Sequence, residues 1–287
     1  MLEHLKNTDS HYLCPLCNQP LQAPVSEKNY VCQNHHSFDR AKEGYLNLLP
    51  VHYKHSKEPG DNKQMITARR LFLEAGFYDP LAKALVIMIN MSHTPNNTTY
   101  NLLDLGCGEG YYSRQIKRHC ELSQQISLHG NDIAKIAIAA ASKKQPEAHF
   151  IVASSSRLPF RDAYFNLVLR VFAPSDEQEI KRLLKPSGYF LSVTPGPRHL
   201  WQLKEFIYND AKEHTEEVII PEGFEQVTQQ RISYKITPNA EQRMALLQMT
   251  PFAWSAGEKI QFTLSNLSEL EIEVDFMLTL SMKTYLL

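Results

Sequence analysis

The sequence predicts an α/β protein: a parallel sheet with helices on both faces, preceded by a small module of different character. Three observations carry this. From Tyr100 onward, short apolar strand patterns alternate with segments of helical period, a rhythm that implies parallel strands joined by covering helices. Residues 12–50 are instead rich in Cys, Pro, Asn and His and show no sustained helical period. Finally, 287 residues suit one medium core plus an appendage rather than a single minimal domain.

Taken in order, the module comes first. Cys14-Pro15-Leu16-Cys17 is a C-x-x-C knuckle, Cys32 follows, and His36 lies four residues beyond it. Cys-x2-Cys-x14-Cys-x3-His is the spacing of a closed tetrahedral zinc site, with soft thiolates and one imidazole filling all four positions and none left for catalysis. His35 is the rival fourth ligand; His36 is preferred and His35 is expected to face solvent. Cys107 and Cys120 have no obvious partners, and Cys107 reads as a small residue tolerated in a loop. The expected division is residues 1–60 for the zinc module with its linker and 61–287 for the main domain.

A polar linker with Pro59-Gly60 precedes helices predicted at Gln64–Leu73, stopped by Gly76, and at Asp79–Met91. Strands are expected at Asn101–Leu105, Ile126–Asn131, His149–Ala153, Phe165–Val171 and Gly188–Thr194. The helices between them fall at Tyr111–Cys120, Ile133–Lys144 and Asp176–Leu184. A further helix should follow Arg198, and Phe224–Ile236 and Leu270–Leu280 could complete the sheet.

The central signal is Leu102-Leu103-Asp104-Leu105-Gly106-Cys107-Gly108-Glu109-Gly110, where a strand ends and three alternating glycines open a helix. Glycine permits positive φ and lets a ligand lie against bare backbone, and the helix start supplies free N–H groups. Asp132, at the end of the second strand, is placed to take two ribose hydroxyls. The Gly-x-Gly-x-Gly spacing differs from the Gly-x-Gly-x-x-Gly that cradles a pyrophosphate. Asp104, just ahead of the glycines, would repel phosphates and attract an ammonium. The expected ligand is therefore a nucleoside bearing an amino acid.

This loop, Asp132, the turn Ser155-Ser156-Arg157-Leu158-Pro159-Phe160 and Leu184-Lys185-Pro186-Ser187-Gly188 resemble the class I S-adenosylmethionine-dependent methyltransferases, whose sheet is Rossmann-like. The resemblance implies that Asp132 holds the ribose, Asp104 the methionine end, and Ala153 to Ser155 the adenine. A narrower likeness runs through the zinc spacing, Asp39-Arg40-Ala41-Lys42-Glu43-Gly44-Tyr45-Leu46-Asn47-Leu48-Leu49-Pro50, Thr194-Pro195-Gly196-Pro197-Arg198-His199-Leu200 and Leu246-Leu247-Gln248-Met249-Thr250-Pro251-Phe252-Ala253-Trp254. Across nearly the whole chain it is similar to the bacterial large-subunit (23S) ribosomal RNA guanine-N1 methyltransferases. That likeness implies one structural zinc per chain, a homodimer gripping an RNA hairpin, and Tyr78, Gly108, Glu109 and His199 as further cofactor contacts beside Gly106 and Gly110. The stretch before Cys14 is longer than the compact family start.

Composition limits the alternatives. A net charge of −1 excludes a histone-like polycation, but seven Lys or Arg against three acids lie between Arg40 and Arg70, interleaved with Tyr45, His52, Tyr53 and His55. Such a strip can touch phosphates and stack on bases. The N-terminus shows no signal-peptide pattern, and the longest apolar run is too short for a membrane span, so a cytoplasmic protein with no membrane partner is expected. After the fourth strand, Val171-Phe172-Ala173-Pro174-Ser175 lacks the Asn/Asp-Pro-Pro-aromatic signature of exocyclic-amine methylation and the cysteine of cytosine C5 chemistry. A ring nitrogen or oxygen acceptor is favoured. Guanine N1 carries a proton at neutral pH, so a base or a strong O6 partner is needed. Arg170, Asp176, Arg198 and His199 are near enough to consider, and no base is assigned. The competing expectations are a small-molecule methyltransferase with a structural zinc, and a non-catalytic RNA-binding adaptor.

Overall fold

The computed structural model describes residues 11–22, 29–51, 59–92, 99–122 and 124–284. Its centre is an eight-stranded sheet in the order β3-β6-β5-β4-β7-β8-β10-β9. The strands are β3 (Leu46–Asn47), β4 (Tyr100–Leu105), β5 (Ile126–Asp132), β6 (His149–Val152), β7 (Phe165–Val171), β8 (Leu184–Pro195), β9 (Phe224–Ile236) and β10 (Ile272–Lys283). Pairing is parallel from β3 through β8. The two late strands complete the sheet, with β10 antiparallel to both β8 and β9.

The helices begin where local chemistry ends the strands. In α1 (Lys63–Glu74) the Asn62 side chain accepts from Met65 N at 3.0 Å. Pro80 opens α2 (Asp79–Met91), and left-handed Gly110 precedes α3 (Tyr111–His119). Next come α4 (Lys135–Lys144), α5 (Glu177–Leu183), capped by Asp176, and α6 (Trp201–Ile207). Two helices went unpredicted, α7 (Ala240–Gln248) and α8 (Glu258–Asn266). The first carried a legible signal, the capping box between Asn239 and Gln242. Fully buried Arg243 ties the pair together by donating to the carbonyls of Pro238, Leu264 and Leu267.

Alternation along β4 divides the core. Leu102 faces a cluster with α1, α2, α3 and α7, whereas Leu103 and Leu105 face a second cluster on the other side. That second cluster contains Tyr12, Cys14, Leu21 and Cys32 beside Phe160, Phe165 and Ile180. The N-terminal module is thus seated on the sheet rather than hung from a linker. Its small hairpin, β1 (Asn29–Val31) with β2 (Ser37–Asp39), leads into β3, which pairs with β6 as an edge strand of the main sheet. Leu13 N donates to Pro159 O at 2.8 Å, and Arg161 N to His11 O at 3.1 Å. The expected N-terminal extension, and His52, Tyr53, Lys54, His55 and Lys57 of the basic strip, lie outside the described residues.

Candidate active site and metal centre

The metal centre is made by two reversals of the chain. Asn18 takes a left-handed φ of 57° and its N–H donates to Cys14 O, folding the first knuckle. His35 takes 61°, with its N–H on Cys32 O, and swings outward to an exposed position while His36 turns in. The donor atoms of Cys14, Cys17, Cys32 and His36 all lie within 4.8 Å of one another. His36 Nδ1 is 3.4 Å from both Cys14 Sγ and Cys32 Sγ, and Cys17 Sγ is 3.6 Å from Cys32 Sγ. Tetrahedral zinc–thiolate bonds of about 2.3 Å place sulfurs about 3.8 Å apart, so this donor set fits a single zinc ion with no ligand position left over.

The second site lies where β4, β5, β7 and β8 end. Gly106, Gly108 and Gly110 all have positive φ (71°, 54° and 72°). A Cβ on Gly106 would strike the Ala173 methyl at 2.4 Å, so the loop presses against the segment after β7. At Gly108 a Cβ would meet nothing within 4 Å, leaving open space above bare backbone. Asp132 fixes that backbone: one carboxylate oxygen accepts from Gly108 N at 3.0 Å and the other from Ala134 N at 2.8 Å. Burial raises the Asp132 pKa, while these two N–H groups oppose the shift. Beside it, the buried Asn131 Oδ1 has no hydrogen-bond partner among the described residues.

The other predicted cofactor residues are held in distinct ways. Asp104 lies beneath it, accepting from Ser113 Oγ at 2.6 Å; burial, with the Asp132 charge adding, pushes its carboxyl up to about 6. The Glu109 carboxylate is held by the Arg70 guanidinium, with Lys144 at 3.6 Å. Tyr78 is buried against Phe72 and Phe276. His199 Nδ1 accepts from Asp275 N at 3.2 Å, so a neutral ring carries its proton on Nε2. Burial, and then the neighbouring His214, hold His199 down to about 3.

Sequence reasoning missed the residue that shapes the His199 loop. Asp275 is wholly buried in β10, and its carboxylate receives Arg231 Nε and Nη2 at 2.9 and 2.8 Å and Arg198 N at 3.0 Å. Burial would raise its pKa, but Arg231 and the Arg198 N–H outweigh that and hold it below the usual range. Gly196 must be glycine there, because a Cβ would fall 2.4–2.6 Å from that carboxylate. The available signal was a lone acid in the apolar run Val274–Leu280.

The basic strip is less free than its composition implied. Arg69 is paired with Asp61 and donates to Met249 O, and Arg70 is spent on Glu109. Tyr45 is buried in a cluster with Cys107 and Phe150 and offers no stacking face. Arg40, Lys42 and Lys63 are exposed.

Residues 12–57 match the family described as "RlmA, N-terminal", and residues 102–188 match a methyltransferase domain. The chain is 33% identical over 282 residues to "Putative 23S rRNA (guanine-N(1)-)-methyltransferase YxjB" of Bacillus subtilis (strain 168), covering 96% of this chain and 98% of that protein. It is 30% identical over 254 residues to the 23S rRNA (guanine(748)-N(1))-methyltransferase of Streptomyces fradiae, covering 87% of this chain and 88% of that one. No helix among the described residues is long and apolar enough to cross a membrane.

Proposed function

We infer the reaction from a premise that these relatives establish: the chain belongs to the family of 23S rRNA (guanine-N1)-methyltransferases. It transfers a methyl group from S-adenosylmethionine to N1 of a guanine in large-subunit ribosomal RNA. The observation that carries this reading is that one continuous match runs through both the Cys3His donor cluster and the glycine loop.

The cofactor would lie over Gly106, Gly108 and Gly110, where the open face at Gly108 admits it. Asp132 already holds two backbone N–H groups and keeps further lone pairs for ribose hydroxyls. Asp104 supports the loop from below through Ser113, and Tyr78, Glu109 and His199 complete the surround. Bound S-adenosylmethionine supplies an electrophilic methyl, so the chain mainly positions the acceptor and excludes water. One zinc per chain would be held by Cys14, Cys17, Cys32 and His36. Residues 1–60 and 61–287 are proposed as functional divisions, the first gripping RNA and the second binding cofactor. The target is a hairpin whose guanine has left its pairing, because N1 is otherwise occupied on the Watson–Crick edge. A homodimer in the cytoplasm is proposed on the family resemblance.

The test is transfer of isotope-labelled methyl to unmodified large-subunit ribosomal RNA, followed by nucleoside digestion and mass spectrometry. Label in 1-methylguanosine is the expected result. Label in another nucleoside, or none with cofactor bound, rejects the reading. RNA binding should weaken steeply with salt, since exposed Arg40, Lys42 and Lys63 are available for phosphate contacts.

A further inference from the structure

Phe172 stands out beside the glycine loop, whose Gly106 lies against the next residue, Ala173. It follows β7 directly and takes a left-handed φ of 54°, which an aromatic L-residue adopts only at a cost in strain. The bend is pinned on both sides, by Phe172 N donating to Val193 O at 3.3 Å and by Ala173 lying against Gly106. Ser155 Oγ donates to Pro174 O at 2.8 Å, linking the segment to the turn after β6. The ring is nonetheless 43% exposed. Its inner side rests on His199, with ring centroids 5.4 Å apart and planes 31° apart, and on Phe276 at 6.0 Å. A strained backbone that holds a large apolar ring half in water contributes little to folding. It does present a flat π surface at the carboxyl ends of neighbouring strands, where ligands of open α/β sheets sit.

We propose that Phe172 is the platform on which the target guanine stacks when it leaves the RNA hairpin, presenting N1 to the methyl donor. The assignment rests on the RNA-guanine reading above and names how that site holds its base. A planar purine gains from stacking on an aromatic face, whichever neighbours it has in the hairpin. The strain fixes the direction of the ring before the base arrives, and the rigid His199–Phe276 backing keeps it there.

The experiment compares wild type with Phe172→Ala, Phe172→Leu and Phe172→Trp, using unmodified large-subunit ribosomal RNA and isotope-labelled S-adenosylmethionine. Transfer rate at saturating RNA, apparent KM for RNA, cofactor affinity by calorimetry and melting temperature are read for each. The alanine and leucine variants should lose about ten- to a hundred-fold in rate, with cofactor affinity within about two-fold of wild type. The tryptophan variant should keep most of the wild-type rate. A leucine variant as active as wild type overturns the platform, because bulk alone then suffices. Parallel loss of cofactor affinity and rate also overturns it, assigning the residue to the cofactor pocket. A wild-type protein that binds cofactor but transfers nothing to this RNA refutes the guanine reading and the platform with it.

Discussion

The donor cluster near the N-terminus and the glycine loop at the head of α3 both bend the chain through left-handed residues, and they use the bend in opposite ways. In the cluster, Asn18 and His35 turn the backbone so that four side chains converge within 4.8 Å and fill the site. In the loop, Gly106, Gly108 and Gly110 make the turn and no side chain follows, so the space over Gly108 stays open. Closed sites are written in side chains at fixed spacing. Open ones are written in backbone, and the polar group that completes this one, Asp132, arrives from the next strand. The module and the loop also share a support. The turn after β6 receives Leu13 N of the module on Pro159 O, and it binds the segment after β7 through Ser155.

The largest effect should come from Cys32→Ser. Removing one thiolate from a four-ligand site releases the metal. Because Cys14 and Cys32 pack with Leu103, Leu105 and Phe160, the loss should reach the sheet, lowering stability by more than about 3 kcal/mol in one cooperative transition. Metal analysis and calorimetry check this. Two separate melting transitions, with the upper one unmoved, would show the module to be independent of the core.

Asp132→Ala tests the open site. Gly108 N and Ala134 N lose their acceptor, and under the proposed function a cofactor ribose loses a charge-assisted contact. Cofactor binding should weaken by about 1.5–3 kcal/mol, roughly ten- to a hundred-fold. Unchanged affinity in calorimetry would remove Asp132 from the cofactor site.

Closed and open sites differ in the same way in how far the sequence announces them. The convergence of Cys14, Cys17, Cys32 and His36 was legible because their spacing leaves few alternatives, and the strands from Asn101 to Thr194 were legible because apolar runs and turn residues agree. The seating of the module was not legible. Its edge strand is only two residues long, and its contacts with Pro159 and Arg161 are backbone pairs that no side-chain pattern announces. The strip from Arg40 to Arg70 misled for a related reason: charge counts cannot tell a free arginine from Arg70, which is committed to Glu109. Asp275 escaped because its meaning depends on Gly196, Arg198 and Arg231, all far away in the chain.

A smaller effect belongs to the seam between the two regions. His11 lies 4.7 Å from His129 and 5.5 Å from His149, ring centre to ring centre. Burial is the first cause in lowering all three pKa values, with His149 and Arg161 adding at His11, His11 and His149 at His129, and Arg40 at His149. His11 is held down to about 3. The folded state therefore binds fewer protons than the unfolded state. Stability from the seam is full above the unfolded value of about 6.5 and falls as pH drops toward the folded values. Denaturation of wild type and His129→Leu between pH 7.5 and 5 measures it, because acid release of the metal is common to both. The wild-type midpoint should fall further than that of the variant; equal slopes would contradict the buried neutral cluster.

Guanine-N1 transfer is tested most directly by primer extension on naked ribosomal RNA from a strain lacking this protein, before and after treatment with purified protein and S-adenosylmethionine. Methylation at N1 blocks the Watson–Crick edge of guanine. A new reverse-transcription stop should appear one nucleotide before a single guanine in a large-subunit hairpin, absent when cofactor is withheld. An unchanged pattern, with methyl recovered on a small molecule or another base, would contradict it.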